Sequence, residues 1–243
     1  MRRRTAAPRL ALFADARLWY NYALNRASEL PVPNRSLGAV LRTTIVEQEV
    51  VTRPSPTVPG ALADDATIDE LARAATSGDV EAVGRLYDAL VGPIHRYVAM
   101  RLRRREDAED VTQLVFERIV AALPRYRHSG RPFAAWAFRI ARNAVIDHQR
   151  RQRPTEPLGR IAEPADQFEI DARSLQEEEL RELRAAIRSL TPDQQEALAL
   201  RYAAGLSAEE AARVMGRQAG TVRGLTFRAI EALRRLLVGG RSS

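Results

Sequence analysis

From Ala66 to Arg151, and again from Leu175 to Val238, apolar residues recur at the spacing of α-helices, without the alternation typical of β-strands. Breakers and caps divide this pattern into short helices: Gly78 is a stop signal and Asp79 caps the helix behind it. The sequence therefore predicts an all-α fold. The expected helices of the first stretch end at Gly78, run from Asp79 to Leu90 and from Pro93 to Arg103, and lie near 106–123 and 132–151.

Two proline-rich segments divide the chain. Residues 1–62 carry nine arginines against four acids and end in a linker of Pro, Ser and Gly residues. We expect this extension to be mostly disordered or weakly helical, with a docking function or an untranslated leader as open alternatives. Residues 154–174 hold three prolines and a net charge of −3, which predicts a flexible acidic linker. The predicted helical domains are 63–153 and 175–238.

Composition excludes several classes of protein. The net charge is +7 and all 38 basic residues are arginine, a side chain that suits phosphate and guanine contacts. A GC-rich genome also accounts for the absence of lysine, so the distribution of charge carries the argument. The chain has no cysteine and three scattered histidines, so we expect no disulfide, metal or other cofactor. No run of about 18 apolar residues exists, which predicts a cytoplasmic protein without membrane insertion.

The helix expected near 106–123 has an acidic face. On a helical wheel Val111, Val115 and Ile119 point inward together with Leu114 and Ala122. The opposite strip suits a basic partner helix, although a solvated surface is the ordinary meaning of such charges. The candidate partner-binding residues are Glu106, Glu109, Asp110, Gln113 and Glu117, with Phe116 at the border.

The helix expected near 132–151 is rich in arginine. Six arginines and one acid lie between residues 131 and 153, which indicates a surface that follows phosphates. The wheel places Phe133, Ala137, Ile140 and Ala144 inward, and for Trp136 and Phe138 it favours core packing over base stacking. The candidate DNA-binding residues are Arg139, Arg142, Asn143, Asp147, His148, Arg150 and Arg151.

The C-terminal block contains a helix-turn-helix. Thr191 and Ser207 begin capping boxes, Gly216 lies in a short turn, and a second helix is expected from about Ala219 to Leu237. The N-terminal residues of such a second helix enter the major groove. The wheel directs Val222, Thr226, Ala229 and Leu233 inward, and the candidate DNA-binding residues are Arg217, Gln218, Thr221, Arg223 and Arg228.

Taken in order, these segments resemble bacterial RNA polymerase sigma factors of the extracytoplasmic-function (ECF, group IV) subfamily. Ser77–Tyr87 resembles the first helix pair of that family, and Asp107–Phe116 the segment that binds the polymerase clamp helices. Phe133–Arg151 is similar to the segment that melts and reads the −10 element, and Leu190–Leu237 to the domain that reads the −35 element. The resemblance implies region 2-like and region 4-like domains.

The partners that the resemblance implies are core RNA polymerase, through its clamp helices and flap, and promoter DNA. An anti-sigma factor is a further expectation of the family, and no small-molecule substrate is implied. Two positions depart from the family pattern, because Gln218 replaces the expected Ser or Asn cap and Gly224 begins a run that lacks a common arginine. The promoter sequence therefore cannot be transferred from a relative.

Two other functions remain as alternatives. A stand-alone helix-turn-helix regulator that binds DNA as a dimer would explain residues 191–238, but it gives the acidic helix no purpose. A hydrolase would need its acids in a pocket. Asp107, Glu109 and Asp110 lie on an open helical face without a nucleophile and base pair, so we expect no enzyme.

Overall fold

The computed structural model describes residues 65–128, 130–152 and 175–239, so the predictions for the extension (1–62) and the linker (154–174) fall outside it. The described residues contain helices and no strand, which confirms the all-α fold. None of these helices is both long enough and apolar enough to cross a membrane. In chain order they are α1 (Asp65–Thr76), α2 (Val80–Arg101), α3 (Arg105–Ala122), α4 (Phe133–Arg151), α5 (Leu175–Arg188), α6 (Pro192–Leu198), α7 (Ala208–Met215) and α8 (Ala219–Gly239). A 3₁₀ turn (Leu123–Arg125) follows α3, and a π turn (Ala199–Ala203) follows α6.

Most helix ends are fixed by the short-range signals that the sequence carries. The Asp79 carboxylate accepts hydrogen bonds from the second and third amides of α2, at 2.9 and 3.1 Å. Gly78 and Gly216 have φ of 100° and 67°, a backbone conformation that favours glycine, and they follow α1 and α7. Thr191 and Ser207 each form a reciprocal capping box with the residue three positions later, as predicted.

The predicted break between Leu90 and Pro93 was wrong, because α2 is one helix from Val80 to Arg101. Proline lacks an amide hydrogen and costs a helix interior about 3 kcal/mol. Here the apolar face continues on both sides of it, and Leu90, Ile94 and Tyr97 are fully buried. Each such burial contributes roughly 2 kcal/mol, so packing outweighs the local cost of Pro93.

The helices form two units, each with its own packing centre. In the first unit (α1–α4), α4 packs against α1, α2 and α3, and its Phe138 meets Tyr97 edge to face at 5.9 Å. In the second unit (α5–α8), α8 packs against α5, α6 and α7 around the buried Leu198 and Leu233. The α7–α8 pair is the predicted helix-turn-helix.

The two units are docked onto each other. Helix α4 packs against α7, and α2 packs against the π turn. One apolar cluster runs without interruption from Phe138 in the first unit to Leu200 and Met215 in the second. The Arg96 Nε atom also donates a hydrogen bond of 2.9 Å to the Ala203 carbonyl. The contact between the units is therefore apolar at its centre and contains specific polar bonds.

Candidate polymerase and nucleic-acid interfaces

The acidic strip of α3 is on the surface. Glu106, Glu109, Asp110 and Glu117 are exposed, whereas Gln113 is half-buried and donates a 3.1 Å hydrogen bond to Glu117. Four acids at helical spacing on one exposed face create a negative potential that a basic partner surface would complement.

Phe116, the border residue of that strip, points inward. It is 7% exposed, and its ring centroid lies 4.6 Å from that of Tyr87 in α2. The predicted inward residues Val111, Val115 and Ile119 are buried beside it, whereas Leu114 and Ala122 are half-buried. Phe116 thus fixes α3 to α2 in this structure.

The arginine-rich helix α4 offers both exposed and covered side chains. Arg139, Asn143, Arg150 and Arg151 are exposed, whereas Arg142, Asp147 and His148 are half-buried. Phe133, Ala137 and Ala144 are buried as predicted, but Ile140 is only half-buried. Phe138 is a core residue, and Trp136 packs against Tyr126 and Phe133 with ring centroids 4.9 Å apart in each pair.

Three polar contacts tie the end of α4 to α3. The His148 Nε2 atom lies 3.5 Å from an Asp107 carboxylate oxygen, to which Gln152 donates a hydrogen bond of 3.0 Å. Asp147 is 3.4 Å from Arg118. Asp107 therefore acts within the unit as a bridge between the two predicted binding helices, a role that the sequence did not reveal.

A buried carboxylate of the second unit lies against α2 and α4. Glu196, in α6, is 4% exposed and accepts a 2.8 Å hydrogen bond from the Tyr97 hydroxyl. The Nε atoms of Arg101 and Arg142 lie 3.2 and 3.5 Å from its two oxygens, as ion pairs without hydrogen-bond geometry. Burial, followed by the charge of Glu196, raises the pKa of Tyr97 well above its ordinary value of 10.0.

The helix-turn-helix presents its predicted DNA-binding residues to solvent. Arg217, Gln218, Thr221, Arg223 and Arg228 are all exposed. The inward face of α8 is also as predicted: the residues at positions 222, 226, 229 and 233 are buried. The packing of α7 on α8 therefore leaves the first turns of α8 free of the core.

Two of these arginines are paired with acids on the surface of the second unit. Arg217 bonds to Asp193 at 3.0 Å, and Arg223 bonds to Glu209 at the start of α7. Both partners of each pair are about half exposed, so water competes for these contacts.

The Glu196 cluster could not be found from the acidic and basic patches alone. One signal was present, because Glu196 shares a helical face with Leu200 and Ala203, both fully buried. An acid on an apolar stripe needs buried partners. The sequence does not reveal that these partners, Tyr97, Arg101 and Arg142, belong to the other unit.

Comparison with known proteins assigns both units. Sigma-70 region 2 matches residues 86–155, and Sigma-70, region 4 matches residues 180–233. The ECF RNA polymerase sigma factor BldN of Streptomyces coelicolor is 38% identical over 184 residues, which cover 74% of this chain and 69% of BldN. The ECF RNA polymerase sigma factor SigC of Mycobacterium tuberculosis is 37% identical over 172 residues, covering 70% of this chain and 91% of SigC.

Solved structures agree with the sequence relatives. CnrH in complex with the cytosolic domain of CnrY aligns with a TM-score of 0.56 at 27% identity, covering 72% of this chain and 99% of CnrH. The sigma factor RpoE of Bartonella quintana, in complex with the anti-sigma factor NepR, aligns with a TM-score of 0.51 at 24% identity, covering 67% and 100%. The second likeness concerns the fold alone.

A stand-alone helix-turn-helix regulator would account for the region 4 match and leave the region 2 match without explanation. The two matches stand in the order predicted from the acidic helix, the arginine-rich helix and the helix-turn-helix. The chain belongs to the ECF RNA polymerase sigma factors, which direct transcription initiation.

Proposed function

We propose that the chain binds core RNA polymerase with the acidic face of α3 and reads promoters with α4 at the −10 element and α8 at the −35 element. One observation carries this proposal. An exposed acidic face and an arginine-rich helix lie on two neighbouring helices of one unit, while the helix-turn-helix lies in the other. One unit thus suits both a basic protein surface and a phosphate backbone. The chain directs initiation and supplies no catalytic group.

The α3 face is tested by its affinity for purified bacterial core polymerase. Asp110→Ala and Gln113→Ala should each weaken binding by roughly tenfold, the loss typical of an interface residue worth somewhat over 1 kcal/mol. Glu70→Ala removes an equally exposed acid from α1 and serves as the matched control. Normal core binding by both α3 variants would contradict the assignment.

The −10 assignment rests on the exposed arginines of α4. Arg139, Arg150 and Arg151 are available for phosphate contacts, and Asn143 has the donor and acceptor needed for a base edge. Because phosphate contacts release counterions, the affinity of this surface should fall steeply with salt. Asp147 and His148 contact α3 residues in this structure, so we propose that they reach DNA only after those contacts break.

The −35 assignment rests on the exposed first turns of α8. Gln218, Thr221 and Arg223 are suited to base edges in the major groove, and Arg217 and Arg228 to phosphates. Phe227, 48% exposed and four residues after Arg223, adds an apolar surface suited to a thymine methyl group.

The remaining proposals concern organisation and partners. We propose that residues 63–153 and 175–238 act as separate domains joined by 154–174, and that the chain works in the cytoplasm with the polymerase. A protein regulator of the anti-sigma type is a further proposed partner. Its support is that CnrH, of similar fold, was solved in complex with the cytosolic domain of CnrY.

A further inference from the structure

The contact between the two units contains a charged cluster that the promoter-reading function does not require. The Glu196 carboxylate enters from α6 and meets the Tyr97 hydroxyl, Arg101 and Arg142, at 2.8, 3.2 and 3.5 Å. The side chains of Glu196 and Arg101 are only 5% and 7% exposed, whereas that of Arg142 is 29% exposed. Next to it, Arg101 donates a 3.0 Å hydrogen bond to Gln195.

This arrangement exists only when the units are docked. Glu196 and Gln195 belong to the second unit, whereas Tyr97, Arg101 and Arg142 belong to the first. A buried carboxylate without cationic partners is costly, and so is a buried guanidinium without an anion. Removal of either side therefore favours separation, because separation returns the remaining charge to water.

The carboxylate lies where a phosphate would bind. Arginine binds carboxylates and phosphates through the same donors. Arg142 is on α4, in the surface proposed to follow the −10 strand, and α7 of the second unit packs on that same helix. A phosphate at Arg142 would compete for the donors that Glu196 approaches in the docked arrangement.

We propose that Glu196 is an intramolecular latch, which closes the second unit over α4 and keeps Arg142 and Arg101 from promoter phosphates. This inference rests on the proposed assignment of α4 to the −10 element. The closed chain and the strand-bound chain are then mutually exclusive states. By linkage, DNA bound at α4 favours the open chain, and whatever stabilises the closed chain weakens DNA binding.

The test compares Glu196→Gln with the wild-type chain and with Glu231→Gln. Glu231 pairs with Arg234 inside α8, so its variant has the same charge change without touching the contact between the units. The chain has no cysteine, so spin labels can be placed by V80C and L236C, at positions 54% and 50% exposed in the two units. Electron paramagnetic resonance then gives the distance between the units.

The second readout is the affinity for a mixed-sequence single-stranded DNA of about 20 nucleotides, since phosphate contacts do not depend on sequence. In Glu196→Gln we expect longer distances and an affinity roughly tenfold higher, because a chain that is mostly closed binds in proportion to its open fraction. Tyr97→Phe removes one hydrogen bond to Glu196 and no charge, and should shift both readouts in the same direction by less. Adding Arg142→Ala to Glu196→Gln should cancel the gain in affinity.

The outcomes separate the latch from the −10 assignment. Unchanged distances in both Glu196→Gln and Tyr97→Phe would overturn the latch and leave the assignment of α4 standing. Longer distances with unchanged DNA affinity would overturn the assignment of α4, and the latch proposal with it. A gain in affinity that survives Arg142→Ala would show that the latch covers other groups.

Discussion

Each unit holds a proposed DNA-binding arginine next to a carboxylate, but in opposite surroundings. In the second unit Arg223 bonds to Glu209 of the same helix-turn-helix, and both side chains are more than half exposed. In the first unit Arg142 meets Glu196, which is buried and comes from the other unit. The same pair of chemical groups thus appears once on the surface and once at a contact between units.

The surroundings decide what each pair can do. An exposed pair is screened by water and salt and contributes about 0–1 kcal/mol, so Arg223 leaves Glu209 at little cost when DNA arrives. A buried carboxylate requires its partners, and the partners of Glu196 are present only in the docked state. Burial therefore links the charge of Glu196 to the arrangement of the two units, whereas the Arg223 pair has no such link.

The largest expected effect is on the coupling of the buried pair. A double-mutant cycle with Arg101→Ala and Glu196→Ala should give a coupling free energy of about 2–3 kcal/mol, near the upper end for contacting residues. The same cycle for Arg223 and Glu209 should give less than about 1 kcal/mol. Both are measured by urea unfolding. Similar coupling in the two cycles would remove the distinction between the pairs.

Arg223→Ala should weaken binding to the −35 element by about 1–3 kcal/mol, because its guanidinium lies in the exposed part of the groove-reading helix. Affinity for core polymerase should stay unchanged, since the acidic face of α3 belongs to the other unit. Holoenzyme binding to duplex promoters with altered −35 elements measures the first effect. A parallel loss of core affinity would argue against separate roles for the units.

Salt should act on the two pairs differently. At 1 M salt the screening length is about 3 Å, so the coupling between Arg223 and Glu209 should disappear. The coupling between Arg101 and Glu196 should persist, because their side chains are less than a tenth exposed. Repeating both cycles at low and high salt tests this difference, and equal losses would contradict it.

The smallest effect concerns His95 in α2. Burial, partly opposed by the charge of Glu109, lowers the pKa of His95 from its ordinary value of 6.5. The unfolded chain therefore binds a proton first, and the stability that neutral His95 provides is lost as pH falls below that value. Urea unfolding between about pH 7 and pH 5.5 should lose less stability in His95→Gln than in the wild type. His128→Gln, at an exposed residue, is the control, and an unchanged slope in His95→Gln would refute the prediction.

The sequence predicts much of this fold because its strongest signals are local. The capping boxes at Thr191 and Ser207, the left-handed Gly216 and the inward face of α8 each depend on residues within two turns of one another. The exposed acids of α3 and the exposed arginines of α4 and α8 follow from the same helical periodicity.

The features that the sequence did not reveal depend on what packs where. Pro93 indicated a helix start by local rules, and only the buried residues on both sides explain why α2 continues. Phe116 was placed at the border of the acidic strip, and its inward orientation depends on Tyr87 in another helix. Glu196 resembled any acid of a capped helix, and its partners lie about 100 residues earlier in two cases, since Tyr97 and Arg101 are both in α2.

The most direct test of the division of labour is transcription from fragmented genomic DNA with purified bacterial core polymerase and this chain, with the 5′ ends mapped. The wild-type chain should create new starts that share two upstream elements. Arg223→Ala should relax the sequence preference at the −35 element alone, and Arg142→Ala should lower use of the −10 element alone. The absence of new starts, or the loss of the same element in both variants, would contradict the account.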